Sequence, residues 1–221
     1  MGNKNKLRRF KDIARYQNVF EYTDFEGNEP PPKGKWKKEI FGNNNPIVLE
    51  LACGKGEYTI YLAEKNPGKN CIGIDLKGNR IWKGATYALN NQVRNVRFIR
   101  MLIDHLEDYF EPGEVDEIWI TFPDPHPRGS RSKQRLTSTK FLEIYRNVLK
   151  PGGLIHLKTD SDLLYNFTLE TIEEEDCQIG KKVDDIYKEE PDDKLLTHKT
   201  FYEKKHLKAG KTIHYVAFRL N

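Results

Sequence analysis

Three short segments of the sequence carry side chains that could bind a ligand or act on one. Glu50 lies near the end of an apolar run and is followed by Gly54 and Gly56. Asp75 closes the next apolar run, and Asp124 follows a later one between prolines. A carboxylate beside glycines suits a cationic amino-acid group, because glycine lets the backbone approach a ligand closely. A carboxylate after the following strand can accept hydrogen bonds from both hydroxyls of a ribose.

Alternating apolar runs and helical patterns position these side chains. The sequence predicts strands at residues 47–51, 71–75, 96–99, 117–121, 154–158 and 212–220, and helices at 57–65, 80–89, 138–149 and 163–174. This alternation is typical of an α/β fold with a mostly parallel sheet and helices on both faces. Ligands bind such sheets beyond the carboxyl ends of the strands. Residues 1–45 are interpreted as an irregular, basic N-terminal extension to a domain of residues 46–221.

The composition limits the classes of protein to which the chain can belong. The chain has 221 residues, of which 37% are hydrophobic and 32% charged, which fits one globular domain. No apolar run approaches the length of a membrane span, and the charged N-terminus does not fit a secretory signal. The Cys residues are widely spaced and lack a C-x-x-C pair: Cys53, Cys71 and Cys177. We therefore expect a cytoplasmic protein with reduced thiols, no membrane segment and no metal site.

The net charge of +4 is distributed unevenly along the chain. Basic side chains concentrate in residues 1–16, 33–38, 128–135 and 199–211. Acidic side chains concentrate in residues 170–176 and 184–193. Such segregation fits a protein with one face for a polyanion, although a mixed solvated surface explains charge alone equally well.

Two kinds of nucleotide-handling enzyme place an acid about 20 residues after a glycine-rich turn. A dinucleotide-binding dehydrogenase requires a further glycine, but Tyr58 and Thr59 occupy that region. Glu50, inside the strand before the glycines, suits a cationic amino-acid group and suits a pyrophosphate poorly. The residues therefore favour a methyltransferase that binds S-adenosylmethionine over a dehydrogenase.

A series of motifs over residues 47–213 carries a more specific resemblance. They are Glu50–Gly56, Ile72–Lys77, Thr121–Pro127, Leu157–Asp160 and Thr200–Glu203. In this order they resemble bacterial tRNA (guanine-N7-)-methyltransferases. The resemblance implies a Rossmann-like class I methyltransferase fold with a seven-stranded sheet, S-adenosylmethionine as cofactor and tRNA as partner. It further implies guanine 46 of the variable loop as the target, in a monomer or homodimer without membrane or metal.

The resemblance also assigns roles to individual residues. It implies that cofactor contacts come from Glu50, Gly54, Gly56, Asp75, Leu102 and Asp124. Asp124 has in addition a catalytic role. The implied substrate contacts are Arg128, Asp160, Thr200, Phe201, Tyr202 and Glu203. The chain departs from the family pattern at Ala52, which replaces a usual glycine, at Leu102, which replaces an Asp or Asn, and at His126, which replaces a common Trp.

Methyl transfer to guanine N7 requires little chemistry from these residues. Guanine N7 carries an exposed lone pair, so no base is needed before attack. A carboxylate such as Asp124 or Asp160 can stabilise the cationic ring and accept from the N1 and N2 donors of guanine. Basic side chains near Arg128 would grip phosphates.

Structural explanations remain open for the same residues. Asp124 could cap a turn, Asp160 could be a helix N-cap, and Thr200–Glu203 could be a capping box. Two other functions also remain open: a methyltransferase for another substrate, and an RNA-binding protein that kept the fold.

Overall fold

The computed structural model of the protein describes residues 2–21 and 32–221, with side chains from Asn5 onward. Of the predicted N-terminal basic cluster, the Lys4 side chain lies outside the described part. The strands are β1 (Val19–Glu21), β2 (Ile47–Leu51), β3 (Asn70–Asp75), β4 (Val96–Arg100), β5 (Val115–Thr121), β6 (Leu149–Thr159), β7 (Gln178–Val183) and β8 (His214–Arg219). The helices are α1 (Gly2–Ile13), α2 (Glu57–Lys65), α3 (Gly78–Asn90), α4 (Leu106–Tyr109), α5 (Thr139–Val148), α6 (Asp162–Glu174), α7 (Ile186–Glu189) and α8 (Phe201–Lys208).

The described strands form an eight-stranded sheet in the order β1-β4-β3-β2-β5-β6-β8-β7. The first six strands of the chain pair in parallel, and β8 pairs antiparallel with both β6 and β7. The predicted α/β fold with a mostly parallel sheet is confirmed. The chain adds strands outward from β2 to β4 and then returns to place β5 on the other side of β2. A ligand site is expected where the order reverses, at the carboxyl ends of β2 and β5.

The two faces of the sheet are buried under different helices. Along β2, Val48 packs on one side with residues of α2 and α3, whereas Leu49 packs on the other with residues of α5 and α6. Side chains of a strand alternate between faces, so a fully buried strand such as β2 is covered on both. In α5, Phe141, Leu142, Tyr145 and Val148 are buried, which is the spacing of one helical face.

The predicted strand count of seven is wrong for the described residues. The added strand is β1, which lies in the segment predicted to be irregular and pairs with β4 from Val19↔Phe98 onward. Three residues are too few for a periodic signal in the sequence. Strand β7 was not located either, because it is mostly exposed and its residues are largely polar.

The N-terminal segment is also more ordered than its composition indicated. Ile13 of α1 is buried, and α1 packs along α3. Trp36 begins a π-helical turn and is fully buried; its indole N–H donates to the carbonyl oxygen of Tyr109 at 2.7 Å. The prediction of an irregular extension is therefore wrong for these parts, because apolar anchors among the basic residues bury themselves in the core. The division of the chain at residue 45 stays a prediction.

No helix in the described ranges is long and apolar enough to cross a membrane.

Candidate active site

A cavity of about 1060 Å³ opens at the carboxyl ends of β2 and β5, where the strand order reverses. Glu50 and Thr121 line it from the strands, and Asp124 and Asp160 line it from the loops that follow β5 and β6. Residues of α8 close the opposite side. The topology thus brings together three of the predicted site carboxylates from distant parts of the sequence.

Glu50 forms the floor of the cavity and is 2% exposed. One carboxylate oxygen accepts a hydrogen bond from the Thr121 hydroxyl at 2.6 Å, and the other accepts from the Thr59 hydroxyl. Burial raises the pKa of Glu50 to about 7, against the opposing effect of these hydroxyls. Among the described residues, no Lys, Arg or His forms an ion pair with this carboxylate. A buried carboxylate without a counter-ion is suited to a cationic ligand group.

Asp75 fixes the glycine-rich loop beside Glu50. One oxygen of its carboxylate accepts from the backbone N–H of Gly54 at 2.9 Å, and the other accepts from that of Lys77 at 2.7 Å. Each oxygen keeps a further acceptor site for a ligand. Gly54 has a φ of 58° and lines the cavity, and a Cβ there would meet nothing within 4 Å. Its glycine is therefore required by backbone conformation and leaves the ligand side open.

Gly56, Asp75 and Leu102 were predicted to contact the cofactor, but they are not among the residues that line the cavity. A Cβ on Gly56 would lie 2.5 Å from the ring of Phe98, so this glycine is needed for close packing. Leu102 is 47% exposed, away from the cavity lining. Asp75 is 8% exposed and holds the loop that lines the cavity through its hydrogen bond from Gly54.

Asp124 lies at the tip of the proline-rich loop with its side chain 70% exposed. Its Oδ1 accepts the backbone N–H of His126 at 3.0 Å, as in the predicted turn. The same side chain lines the cavity, so the turn and the ligand-facing position coexist. Phe122 and His126 have φ values of 49° and 41°, in the left-handed region that non-glycine residues rarely adopt. Strain of this kind persists only where the surroundings hold the loop in place.

Arg135 supplies that hold. Its guanidinium donates to the carbonyl oxygens of Pro125 and His126, each at 3.1 Å, and lies 4.4 Å from the ring centroid of Phe167. Arg135 belongs to the basic segment 128–135, but it is 7% exposed and its guanidinium is bound to the loop. Arg128 and Lys133 remain available on the exposed side.

A smaller cavity of about 310 Å³ adjoins the loop tip. It is lined by Asp124, His126, Pro127, Arg128 and Arg131. Arg128 is absent from the lining of the large cavity, so the structure places it beside the predicted site, across Asp124.

Asp160 lines the large cavity and is already paired. Its Oδ2 lies 3.0 Å from Nδ1 of His206 and also accepts from the ammonium of Lys211. The N-cap of α6 is Ser161, whose hydroxyl accepts from the backbone N–H of Leu164 at 3.2 Å. The alternative that Asp160 caps this helix is therefore wrong.

Thr200 and Glu203 form the capping box that the sequence left open, at the start of α8. Thr200 lines the cavity, but Glu203 is 0% exposed. A carboxylate without exposed surface cannot touch RNA in this conformation. Phe201 and Tyr202 are 54% and 40% exposed, and Tyr202 lines the cavity.

Several residues of the site were given no individual role from the sequence. Thr59 and Thr121 hold Glu50, and Lys205 and His206 line the cavity from α8. Hydroxyls and lysines are common throughout such a chain, so nothing in their spacing marks them. Within residues 2–21 and 32–221, no three His, Cys, Asp or Glu side chains form a group that could hold a metal ion.

We call the Glu50 carboxylate with Thr59, Thr121 and the Ala52–Gly56 loop the buried wall, and the Phe122–Arg131 loop with α8 the exposed rim. The reversed strand order, the carboxylate floor and the glycine-rich loop together define a class I methyltransferase that uses S-adenosylmethionine. Solved structures share this fold. The 16S rRNA methyltransferase KamB superposes with a TM-score of 0.67 at 12% identity, over 87% of this chain and 95% of that one. An antibiotic-related methyltransferase superposes with a TM-score of 0.62 at 16% identity, over 90% and 96%.

Sequence relatives define the family. A family model described as "Putative methyltransferase" matches residues 44–216. A curated tRNA (guanine-N(7)-)-methyltransferase of Christiangramia forsetii is 50% identical over 100% of both chains. Another, of Bacteroides thetaiotaomicron, is 47% identical over 98% of this chain and 86% of its own length. The chain belongs to the tRNA (guanine-N(7)-)-methyltransferase family.

Proposed function

We propose that the protein transfers the methyl group of S-adenosylmethionine to N7 of a guanine in tRNA, and that the target is guanine 46 of the variable loop. One observation carries the proposal: a single cavity joins a buried carboxylate without a counter-ion, Glu50, to an exposed one, Asp124. The first suits the cofactor and the second suits a base brought in from outside. The names of the sequence relatives support the same substrate and atom. A tRNA substrate also supports a cytoplasmic enzyme.

In this proposal, Glu50 binds the amino group of the methionine part of the cofactor. Asp75 binds the ribose hydroxyls with its remaining acceptor sites and keeps Gly54 in place by the 2.9 Å hydrogen bond. When bound, the cofactor supplies an electrophilic methyl group on a sulfonium. No general base is required before attack, since N7 carries a free lone pair.

Asp124 acts on the base. Its carboxylate stabilises the positive charge that develops on the guanine ring and accepts from the ring's N1–H or N2 amino group. Asp160 adds a second acceptor, with its orientation fixed by His206 at 3.0 Å. Adenine lacks this pair of donors, so two carboxylates at the mouth of the cavity favour guanine. Holding N7 in line for attack can lower the activation barrier by about 7–11 kcal/mol.

Exposed groups around the cavity would hold the RNA. Phe201 and Tyr202 offer faces on which an extruded base can stack. Arg128 and Lys133 lie on the outer side of the Asp124 loop and would contact phosphates, which positions the RNA without reading its sequence. The exposed basic side chains of α1 would add further phosphate contacts.

Nucleoside mass spectrometry tests the proposal directly. The protein is incubated with an unmodified tRNA transcript and methyl-labelled S-adenosylmethionine, and with a matched transcript that carries adenine at position 46. We expect labelled 7-methylguanosine from the first transcript and none from the second. Label at another atom, or none in either transcript, would refute the proposed reaction; equal label in both would refute position 46 alone.

A further inference from the structure

Beneath the exposed rim, Lys158 of β6 and Glu203 of α8 form a fully buried ion pair. The Lys158 ammonium lies 2.7 Å from Oε1 and 2.9 Å from Oε2 of Glu203, and both side chains are 0% exposed. Lys158 also donates to the carbonyl oxygen of His198 at 3.2 Å, and the Tyr187 hydroxyl donates to Oε1 of Glu203 at 2.7 Å. Protein groups therefore surround the Glu203 carboxylate, and none of its surface faces the cavity.

The pair joins α8, which is part of the rim, to β6, the strand that leads to Asp160. Glu203 is the third residue of α8, and its carboxylate accepts from the backbone N–H of Thr200 at 3.4 Å. Lys158 lies in β6, shortly before Asp160 enters the cavity. The helix carries Tyr202 and His206 to the same cavity, and His206 contacts Asp160. A shift of α8 relative to β6 would therefore move Tyr202 within the cavity and move His206 away from Asp160.

A second tether links α8 to the buried wall. The carboxylate of Glu57 accepts from the backbone N–H of Phe201 at 2.6 Å. The ammonium of Lys55, in the glycine-rich loop, lies 3.7 Å from the centroid of the Phe201 ring. Helix α8 therefore spans from β6 to the loop beside Glu50, and its placement affects the cofactor side as well as the RNA side.

We propose that Lys158 and Glu203 are positioning residues, which fix α8 through their ion pair and do not contact RNA. The inference rests on the proposed function for the reaction that α8 serves. Removing one partner leaves an unpaired charge in the core, which is strongly unfavourable, whereas replacing both partners by neutral groups of similar size is often tolerated. The pair thus makes a prediction that a direct RNA contact does not make: a second substitution should repair the first.

The experiment compares Lys158→Met, Glu203→Gln and the double variant. We expect each single substitution to raise the tRNA KM and the S-adenosylmethionine Kd by about tenfold or more, because a displaced α8 affects both sides of the cavity. The double variant should return both constants to within about threefold of the parent. Calorimetry gives the cofactor Kd without any turnover. If a single variant does not fold and the double variant does, the second substitution has again rescued the first, which supports the proposal.

Lys69→Met is the matched control, because it breaks an ion pair with Glu117 at the amino ends of β3 and β5, with the atoms 2.5 Å apart. It should leave both constants unchanged. A double variant that binds tRNA as poorly as Glu203→Gln, or that fails to fold, would overturn the proposal. If the parent protein itself transfers no methyl group to tRNA, the proposed function fails, and the cofactor Kd of the variants still tests the ion pair.

Discussion

The buried wall and the exposed rim hold their carboxylates in opposite ways. Glu50 is 2% exposed, and both of its oxygens are bonded to hydroxyls of the protein. The Asp124 side chain is 70% exposed on a loop whose neighbours Phe122 and His126 have positive φ. The wall is therefore complete before a ligand arrives and can select a small molecule by charge and fit. The rim leaves the Asp124 carboxylate exposed to solvent, as expected where a base of the bound RNA supplies the hydrogen-bond donors.

The largest expected effect comes from freeing the rim loop. Arg135→Met removes the donors to the carbonyl oxygens of Pro125 and His126 from a residue that is 7% exposed. Hydrogen bonds from a charged group contribute about 1.5–3 kcal/mol each, so loss of the two bonds should lower the free energy of unfolding by about 3–6 kcal/mol. Denaturant titration measures it. Arg131→Met, on the exposed side of the same segment, is the control; equal losses in both variants would contradict the assigned brace.

On the buried wall, cofactor affinity should depend on pH through Glu50. Burial raises its pKa to about 7, and only the ionised carboxylate attracts the amino group of the cofactor. From pH 6 to pH 8 the ionised fraction rises about tenfold, so affinity measured by calorimetry should rise by a similar factor. Glu50→Gln should bind weakly with no such rise. Asp75→Asn, the control, should bind the cofactor weakly but keep the rise in affinity between pH 6 and pH 8. The same rise in Glu50→Gln would exclude Glu50 as its source.

Glu50 also affects the stability of the cofactor-free protein, with the opposite sign. Because its folded-state pKa is raised above the unfolded value of 4.5, the folded state binds the proton more tightly. The stability contributed by protonated Glu50 is fully present below pH 4.5 and is lost as pH rises through about 7. Glu50→Gln should remove this part of the decline in thermal denaturation.

A smaller effect is expected when single cations are removed from the rim and from α1. If Arg128 or Arg8 contacts a phosphate, each substitution by Gln should lower the slope of log affinity against log salt by about 0.7–0.9. Filter binding of tRNA over a salt series measures this slope. Lys150 lies at the amino end of β6 with its side chain 65% exposed, and Lys150→Gln should leave the slope unchanged. Parent slopes in the Arg128 and Arg8 variants would show that these side chains are only solvated.

The smallest effect is expected at Ala52, which has a φ of 56°, in the left-handed region that favours glycine. Ala52→Gly should relieve about 1 kcal/mol of strain, partly offset by the greater freedom of glycine in the unfolded chain. We expect a rise in Tm of at most a few degrees with unchanged cofactor affinity. A large fall in Tm would show that the methyl group contributes packing that outweighs the strain.

The sequence predicted the buried wall better than the rim, for a physical reason. Glu50 and Gly54 lie on a strand and its following loop, where apolar pattern and glycine mark the position. Nothing local distinguishes Arg135, which binds the loop, from Arg131, which faces solvent. The buried pairing of Lys158 and Glu203 joins residues far apart in the sequence, so only the fold shows it. For the same reason β1 was missed, since its pairing with β4 is a long-range contact.

The central claim is that the wall binds the cofactor and the rim acts on the base, and Asp124→Asn tests it most directly. The substitution keeps the shape of the loop and removes the charge that stabilises the cationic ring. In single-turnover assays with tRNA we expect methyl transfer to slow by about a hundredfold, while the S-adenosylmethionine Kd and the tRNA Kd change by less than about threefold. Methyl transfer at the parent rate would contradict the account and leave Asp124 as a turn residue.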